Sequence, residues 1–247
     1  MKKRKVIQLT RKWHRYLGVV LGIQFLLWTI GGLYFSWTTI DEIRGDHLKN
    51  EAPCIPKDFA YVSPEVFLTT LLNKNDDLIS LELTSILEKP VYRIQFLSEG
   101  KKKALLINAK NGKLRHAISK EEAIKIAEKK LNINAKINAI EYITETGNHH
   151  EYRRRPLPAY AITFDQPANT TVYISKEYGN VQTFRNNQWR IFDFLWMLHT
   201  MDYQERDNFN NILLRAFSLF GIFTILSGFT LYILTSKTLN KKKKLIE

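Results

Sequence analysis

Cysteine is almost absent: Cys54 is the single one in 247 residues. An internal disulfide is therefore excluded, and because Cys54 sits in no C-x-x-C or other metal-ligand spacing, any folded domain must be held by its apolar core. Catalytic signatures are missing too. The chain has no H-E-x-x-H, no G-x-S-x-G, no phosphate-binding glycine loop and no dinucleotide fingerprint, so no motif argues for an enzyme. Charge is missing from two long stretches, with no Asp, Glu, Lys or Arg between Tyr16 and Ile40 or between Ala216 and Ser236. Each reaches the roughly 20 residues that a helix needs to cross about 30 Å of hydrocarbon.

Acid is scarce at both ends. Residues 1–15 carry seven Lys or Arg and no Asp or Glu, and residues 237–247 carry five Lys and one Glu, so the ends hold +11 of a net charge of +13. Cationic flanks resist translocation, and this distribution predicts two cytoplasmic tails with the intervening region of about 150 residues exported. Such a pattern is not a nucleic-acid footprint, and no nucleic-acid partner is expected. The apolar run after Met1-Lys-Lys-Arg-Lys5 is about twice as long as a secretory signal core and lacks a small-residue cleavage site, which predicts a retained anchor. Trp13 and Tyr16 at one end of the first span and Tyr34, Phe35 and Trp37 at the other are placed as interfacial anchors. Gly18 and Gly22 form a G-x-x-x-G step that another helix can approach closely, either the second span or a second copy in a homodimer.

Between the spans the chain resembles itself. Pro90-Val-Tyr-Arg-Ile-Gln-Phe96 parallels Pro158-Ala-Tyr-Ala-Ile-Thr-Phe164, and both alternate as half-buried strands do. Ala104–Leu114 parallels Thr171–Val181, each a strand running into a turn, at Asn111-Gly112 and Tyr178-Gly179. A helix start precedes each strand set: Ser63-Pro64-Glu65 ahead of Val66, Phe67, Leu68, Leu71 and Leu72, and a capping box of Ser119 and Glu122 ahead of Ala123, Ile124, Ile126, Ala127 and Leu131. The second copy carries an insertion, about Thr144 to Leu157, with His149, His150 and Arg153-Arg154-Arg155, which reads as a solvated hairpin loop. From Gln188 to Met201, Trp189, Phe192, Leu195, Trp196 and His199 recur at helical spacing, as in an amphipathic helix on the membrane surface or a buried helix of the exported domain.

These residues carry a family resemblance. Trp13-His14-Arg15-Tyr16-Leu-Gly-Val-Val-Leu-Gly22 with Gly31-Gly32-Leu-Tyr-Phe35, and Leu198-His199 followed by Arg215 and Ser227-Gly228-Phe-Thr-Leu-Tyr232, resemble PepSY-domain proteins with the PepSY-associated transmembrane helix. The resemblance covers nearly the whole chain and implies an α+β membrane protein whose two transmembrane helices flank two PepSY-like units, each a helix packed on an antiparallel sheet. The organisation is a basic tail 1–15, a first span 16–40, PepSY-like units 41–116 and 117–187, a juxtamembrane segment 188–211, a second span 212–236 and a basic tail 237–247. It also implies a bacterial cytoplasmic (inner) membrane protein that acts as an extracytoplasmic binding or regulatory module, with membrane lipid and a protein in the membrane or envelope as partners.

Larger relatives with four spans are linked to siderophore-iron uptake and carry haem for a reductase activity. The resemblance thus makes His14 and His199 candidate haem b ligands, with Arg215 as a counter-charge to a propionate or a lipid phosphate. The alternative readings are an interfacial histidine in a basic cluster, a hydrogen-bonded histidine at the domain–membrane junction, and an arginine that snorkels. With His14 before the first span and His199 before the second, the two are expected on opposite sides of the membrane, about 30 Å apart, too far for one iron. No catalytic or metal-ligating residue is singled out.

Overall fold

A computed structural model describes residues 2–51 and 54–236, so the basic tail expected over 237–247 lies outside the described residues. The protein is α+β, with two helices long and apolar enough to cross a membrane near its ends and two four-stranded antiparallel sheets between them. It divides into two compact units, and the division falls inside one helix, between Ile191 and Phe192.

The helical unit is built on α1 (Lys2–Trp37) and α6 (Ile212–Thr235), which pack against each other. The basic N-terminal stretch is part of α1, which ends at Trp37 rather than continuing to residue 40. The cause is local. Thr39 starts a new helix, α2 (Ile40–Arg44), through a capping box in which Glu42 N–H donates to Thr39 Oγ1 at 3.3 Å and Thr39 N–H to the Glu42 carboxylate at 3.2 Å. Asn211 caps α6, accepting the Leu214 N–H at 2.8 Å. Both long helices turn large apolar side chains outward, among them Ile23, Phe25 and Leu26 on α1 and Ile222, Phe223 and Phe229 on α6. An apolar surface continuous around a helix is stable in lipid, not in water.

The sheet unit starts at Thr39. Its first sheet is a meander of β1 (Asp77–Ile86), β2 (Lys89–Ser98), β3 (Lys101–Asn108) and β4 (Leu114–Arg115), preceded by α3 (Glu65–Leu71). The alternation read in β2 has a direct consequence: Tyr92, Ile94 and Phe96 point to one face, where they pack with Phe67 of α3, Ile107 and Ala109. The second sheet, β5 (Ile137–Ile143), β6 (Ala159–Phe164), β7 (Thr171–Ser175) and β8 (Val181–Arg185), follows α4 (Lys120–Lys130). The Ser119–Glu122 capping box expected at the start of α4 is formed, with Glu122 N–H donating to Ser119 Oγ at 3.2 Å. Ser63, by contrast, makes no side-chain cap to α3, where Pro64 occupies the cap position.

The sheets stay separate but share one core. Ile86, Val91, Leu106 and Ile118 from the first half pack with Ala123 and Ala127 of α4 and with Tyr160, Ile162, Phe164 and Ile174 of the second sheet. Details recur between the halves. A bulge interrupts β1 opposite Phe96 and β5 opposite Phe164, the Pro90 carbonyl accepts from Ala109 N–H as the Pro158 carbonyl does from Lys176 N–H, and Gly112 and Gly179 both turn at positive φ, 69° and 64°.

Candidate functional site

The helical unit brings His14 and α6 together. His14 Nδ1 lies 2.8 Å from Ser227 Oγ, and Gly228 leaves room for the ring, since a Cβ there would stand 3.2 Å from His14 Cε1. His14 therefore belongs to a helix–helix contact. Gly18 and Gly22 do not, because none of the described residues lies within 4 Å of where their Cβ atoms would be, and α6 leaves the G-x-x-x-G step open.

His199, in the last turn of α5 (Asn187–Thr200), sits among aromatics, with ring centres 5.5 Å from Trp28, 6.1 Å from Phe35 and 6.3 Å from Trp196. Its Nδ1 is buried and, among the described residues, has no hydrogen-bond partner. The carbonyl of neighbouring Leu198 is a helix-end acceptor that α1 satisfies twice, from Gln24 Nε2 at 2.8 Å and Trp28 Nε1 at 3.3 Å. Gln24 was legible as a site in principle, being the one amide in the first charge-free run. His14 and Trp28 are 14 residues apart on α1, about 21 Å of helix rise, so the two histidines sit at different levels of the same unit and one chain does not place them on one iron. Arg215 is exposed on the first turn of α6.

The loop between α5 and α6 is tightly tied. Asp202 accepts backbone N–H groups from Gln204, Glu205 and Asn208 at 3.2, 3.1 and 2.8 Å. Burial opposes ionisation of Asp202, but these donors outweigh it and hold the carboxyl below its ordinary value. Arg206 pairs with Asp193, which is buried.

In the sheet unit a cleft of about 540 Å³ runs along β1. Consecutive residues from Glu82 to Glu88 line it, together with Glu51 and Ile55, Ile126, Lys129 and Lys130 of α4 and the Gly179–Val181 turn. Side chains alternate across a sheet, so an unbroken series of lining residues puts the free edge of β1 on the cleft. Among the described residues β1 pairs with β2 alone. Arg93, 5% exposed, forms part of the wall, donating to the Tyr178 carbonyl at 2.7 Å and to Glu82 at 2.8 Å.

The Thr144–Leu157 insertion is more than a solvated loop. Tyr152 is fully buried and stacks on Tyr173 of β7, with ring centres 4.7 Å apart. Burial pushes the Tyr152 hydroxyl up to about 12. Glu151 accepts from Tyr173 at 2.7 Å and from Arg190 at 2.8 and 3.0 Å. The sequence offered no periodic signal for these contacts because they join a loop to strand and helix residues far along the chain. Among the described residues no group of three or more His, Cys, Asp or Glu is arranged to hold a metal ion.

The chain matches the family described as the PepSY-associated TM region over residues 1–235, nearly its whole length. It belongs to this family. For a member of the PepSY-associated TM family the architecture follows directly, the matched segment containing both long apolar helices and the two sheets between them. No curated protein and no solved structure matched the chain in the same comparisons.

Proposed function

We propose that this PepSY-associated TM protein is a membrane-anchored module that holds two PepSY-like units outside the cytoplasm and there binds an extended segment of a protein partner. In this reading it is an accessory of envelope function or of iron uptake, in a bacterial cytoplasmic membrane, with both basic ends cytoplasmic. The recurrent bulges and turns support a duplicated unit. The cleft along β1 carries the reading. An edge strand presents unpaired N–H and C=O groups, and a segment added there gains main-chain hydrogen bonds from β1 and side-chain contacts from α4 and the Gly179 turn. A photo-crosslinking residue at Thr84, inside the cleft, is expected to give a discrete protein adduct in intact cells, and one at Lys110, on an exposed turn, is not. Equal adducts at both positions, or none at either, would count against it. The open face at Gly18 and Gly22 is the one offered to a second copy.

A second reading, a haem-carrying redox component that assists siderophore-iron reduction, draws on the buried, unpartnered Nδ1 of His199. The two histidines do not fit one haem within a single chain, so this reading needs a ligand from another chain. Protein purified in mild detergent from haem-replete cells decides it: a Soret band lost in His199→Ala favours this reading, and a featureless visible spectrum removes it.

A further inference from the structure

The β5–β6 loop, the end of β8 and the start of α5 bring Arg190 and Arg185 to one acid, Glu151, with Arg155 beside Arg185. Arg190 takes up that acid. Its Nε donates to Glu151 Oε2 at 2.8 Å and its Nη2 to Oε1 at 3.0 Å, the paired geometry in which a guanidinium neutralises a carboxylate. Tyr173 fills a further acceptor position on the same group.

Arg155 and Arg185 have only uncharged oxygens. Arg155 donates to the Gln182 carbonyl at 2.9 Å. Arg185 donates to the carbonyls of Glu151 and Phe184 at 2.9 and 3.0 Å and to the Thr183 hydroxyl at 2.6 Å. Among the described residues neither makes an ion pair. Burial, with the charge of Arg155 next, depresses Arg185 to about 10, the mark of a cation held where charge is disfavoured. Yet Arg185 is rigidly placed, its guanidinium carbon 3.9 Å from the centre of the Trp189 ring.

Two half-buried guanidinium groups close together, fixed in orientation and lacking a counter-charge, are favourable only if something supplies the charge. A carboxylate would bring one negative charge for two cations. A phosphate group near neutral pH brings between about one and two, on tetrahedral oxygens that two planar forks can share. We infer that Arg155 and Arg185, beside the Trp189 ring, form a binding site for a phosphate-type oxyanion. The group is presented either by an anionic phospholipid or by a soluble phosphate compound. Arginine suits this role better than lysine because its fork stays charged and needs little ordering to bind.

The test uses the full-length protein in mild detergent and in lipid nanodiscs. Inorganic phosphate, added against chloride at matched ionic strength, is followed by calorimetry, and phosphatidylglycerol is compared with phosphatidylcholine by retention on the purified protein. Arg155→Gln, on the less buried of the two arginines, is expected to weaken binding roughly tenfold, and Arg155→Gln with Arg185→Gln to abolish it. Phosphate binding lost in the variants identifies a soluble ligand. Selective phosphatidylglycerol retention lost in the variants, without a response to free phosphate, identifies a headgroup. If Arg155→Gln, folded by circular dichroism, matches the wild type with both probes, the site is disproved, whether or not the double variant folds.

Discussion

Arg93 of β2 donates its Nε–H to the carbonyl of Tyr178, 2.7 Å away, and so ties the first sheet to the turn that follows β7 in the second. Its other partner, Glu82, is 55% exposed at the side chain and contributes little through a screened ion pair. Arg93→Met is therefore expected to lower stability by about 1–3 kcal/mol, the cost of losing a buried donor and leaving a partly buried carbonyl without its partner, while Glu82→Gln costs less than about 1 kcal/mol. Denaturant unfolding of the two variants in detergent checks the order.

Gly179 sits in the same junction. Its φ is +64°, and a Cβ would stand 2.6 Å from Ile86 Cδ1 and 3.0 Å from Leu106 Cδ1. Strain at positive φ and overpacking act together, so Gly179→Ala is expected to cost about 2–4 kcal/mol. Gly147→Ala, where the space is open, is expected to change stability by no more than about 0.5 kcal/mol. A thermal melt of each variant reads the difference.

Within the helical unit, Gly228 faces the His14 ring and Gly221 faces open space. Gly228→Val is expected to drive α1 and α6 apart and reduce the detergent half-life of the protein severalfold, and Gly221→Val to leave it near the wild-type value. Similar half-lives for both would mean that the His14–Ser227 contact does not organise the pair.

Asp202 gives a pH signature. Its carboxyl is held below the ordinary value of 3.8 in the folded protein, so the stability it contributes is complete above that pH and disappears as pH falls through the lower folded value. Asp202→Asn is expected to be less stable than the wild type at neutral pH, with the gap closing below pH 3.8. A constant gap from pH 7 to pH 3 would assign the loss to packing rather than to charge.

Long-period features were legible in the sequence because each depends on many residues agreeing. The two charge-free runs became α1 and α6, the alternation around Tyr92 became a buried strand, and Ser119 with Glu122 became a working cap. Thr39 with Glu42 is an equally regular cap, but it starts inside the first charge-free run, whose length predicts one unbroken helix. Contacts between remote residues were not legible. Nothing around Glu151 signals that Arg190, 39 positions later, will close on it, and nothing near Gln24 points to the Leu198 carbonyl. The positions singled out for haem were legible as residue types and as lying at different depths, whereas their partners, Ser227 for His14 and Trp28 for His199, were not.

In the proposed topology the region between α1 and α6 is exported, and the only cysteine in the sequence, Cys54, lies in that region and is exposed. A membrane-impermeant maleimide applied to intact spheroplasts measures this without any substitution. Export predicts full labelling of Cys54 before lysis, unchanged when the cells are opened. Labelling that appears only after lysis would place the sheets in the cytoplasm and contradict the account.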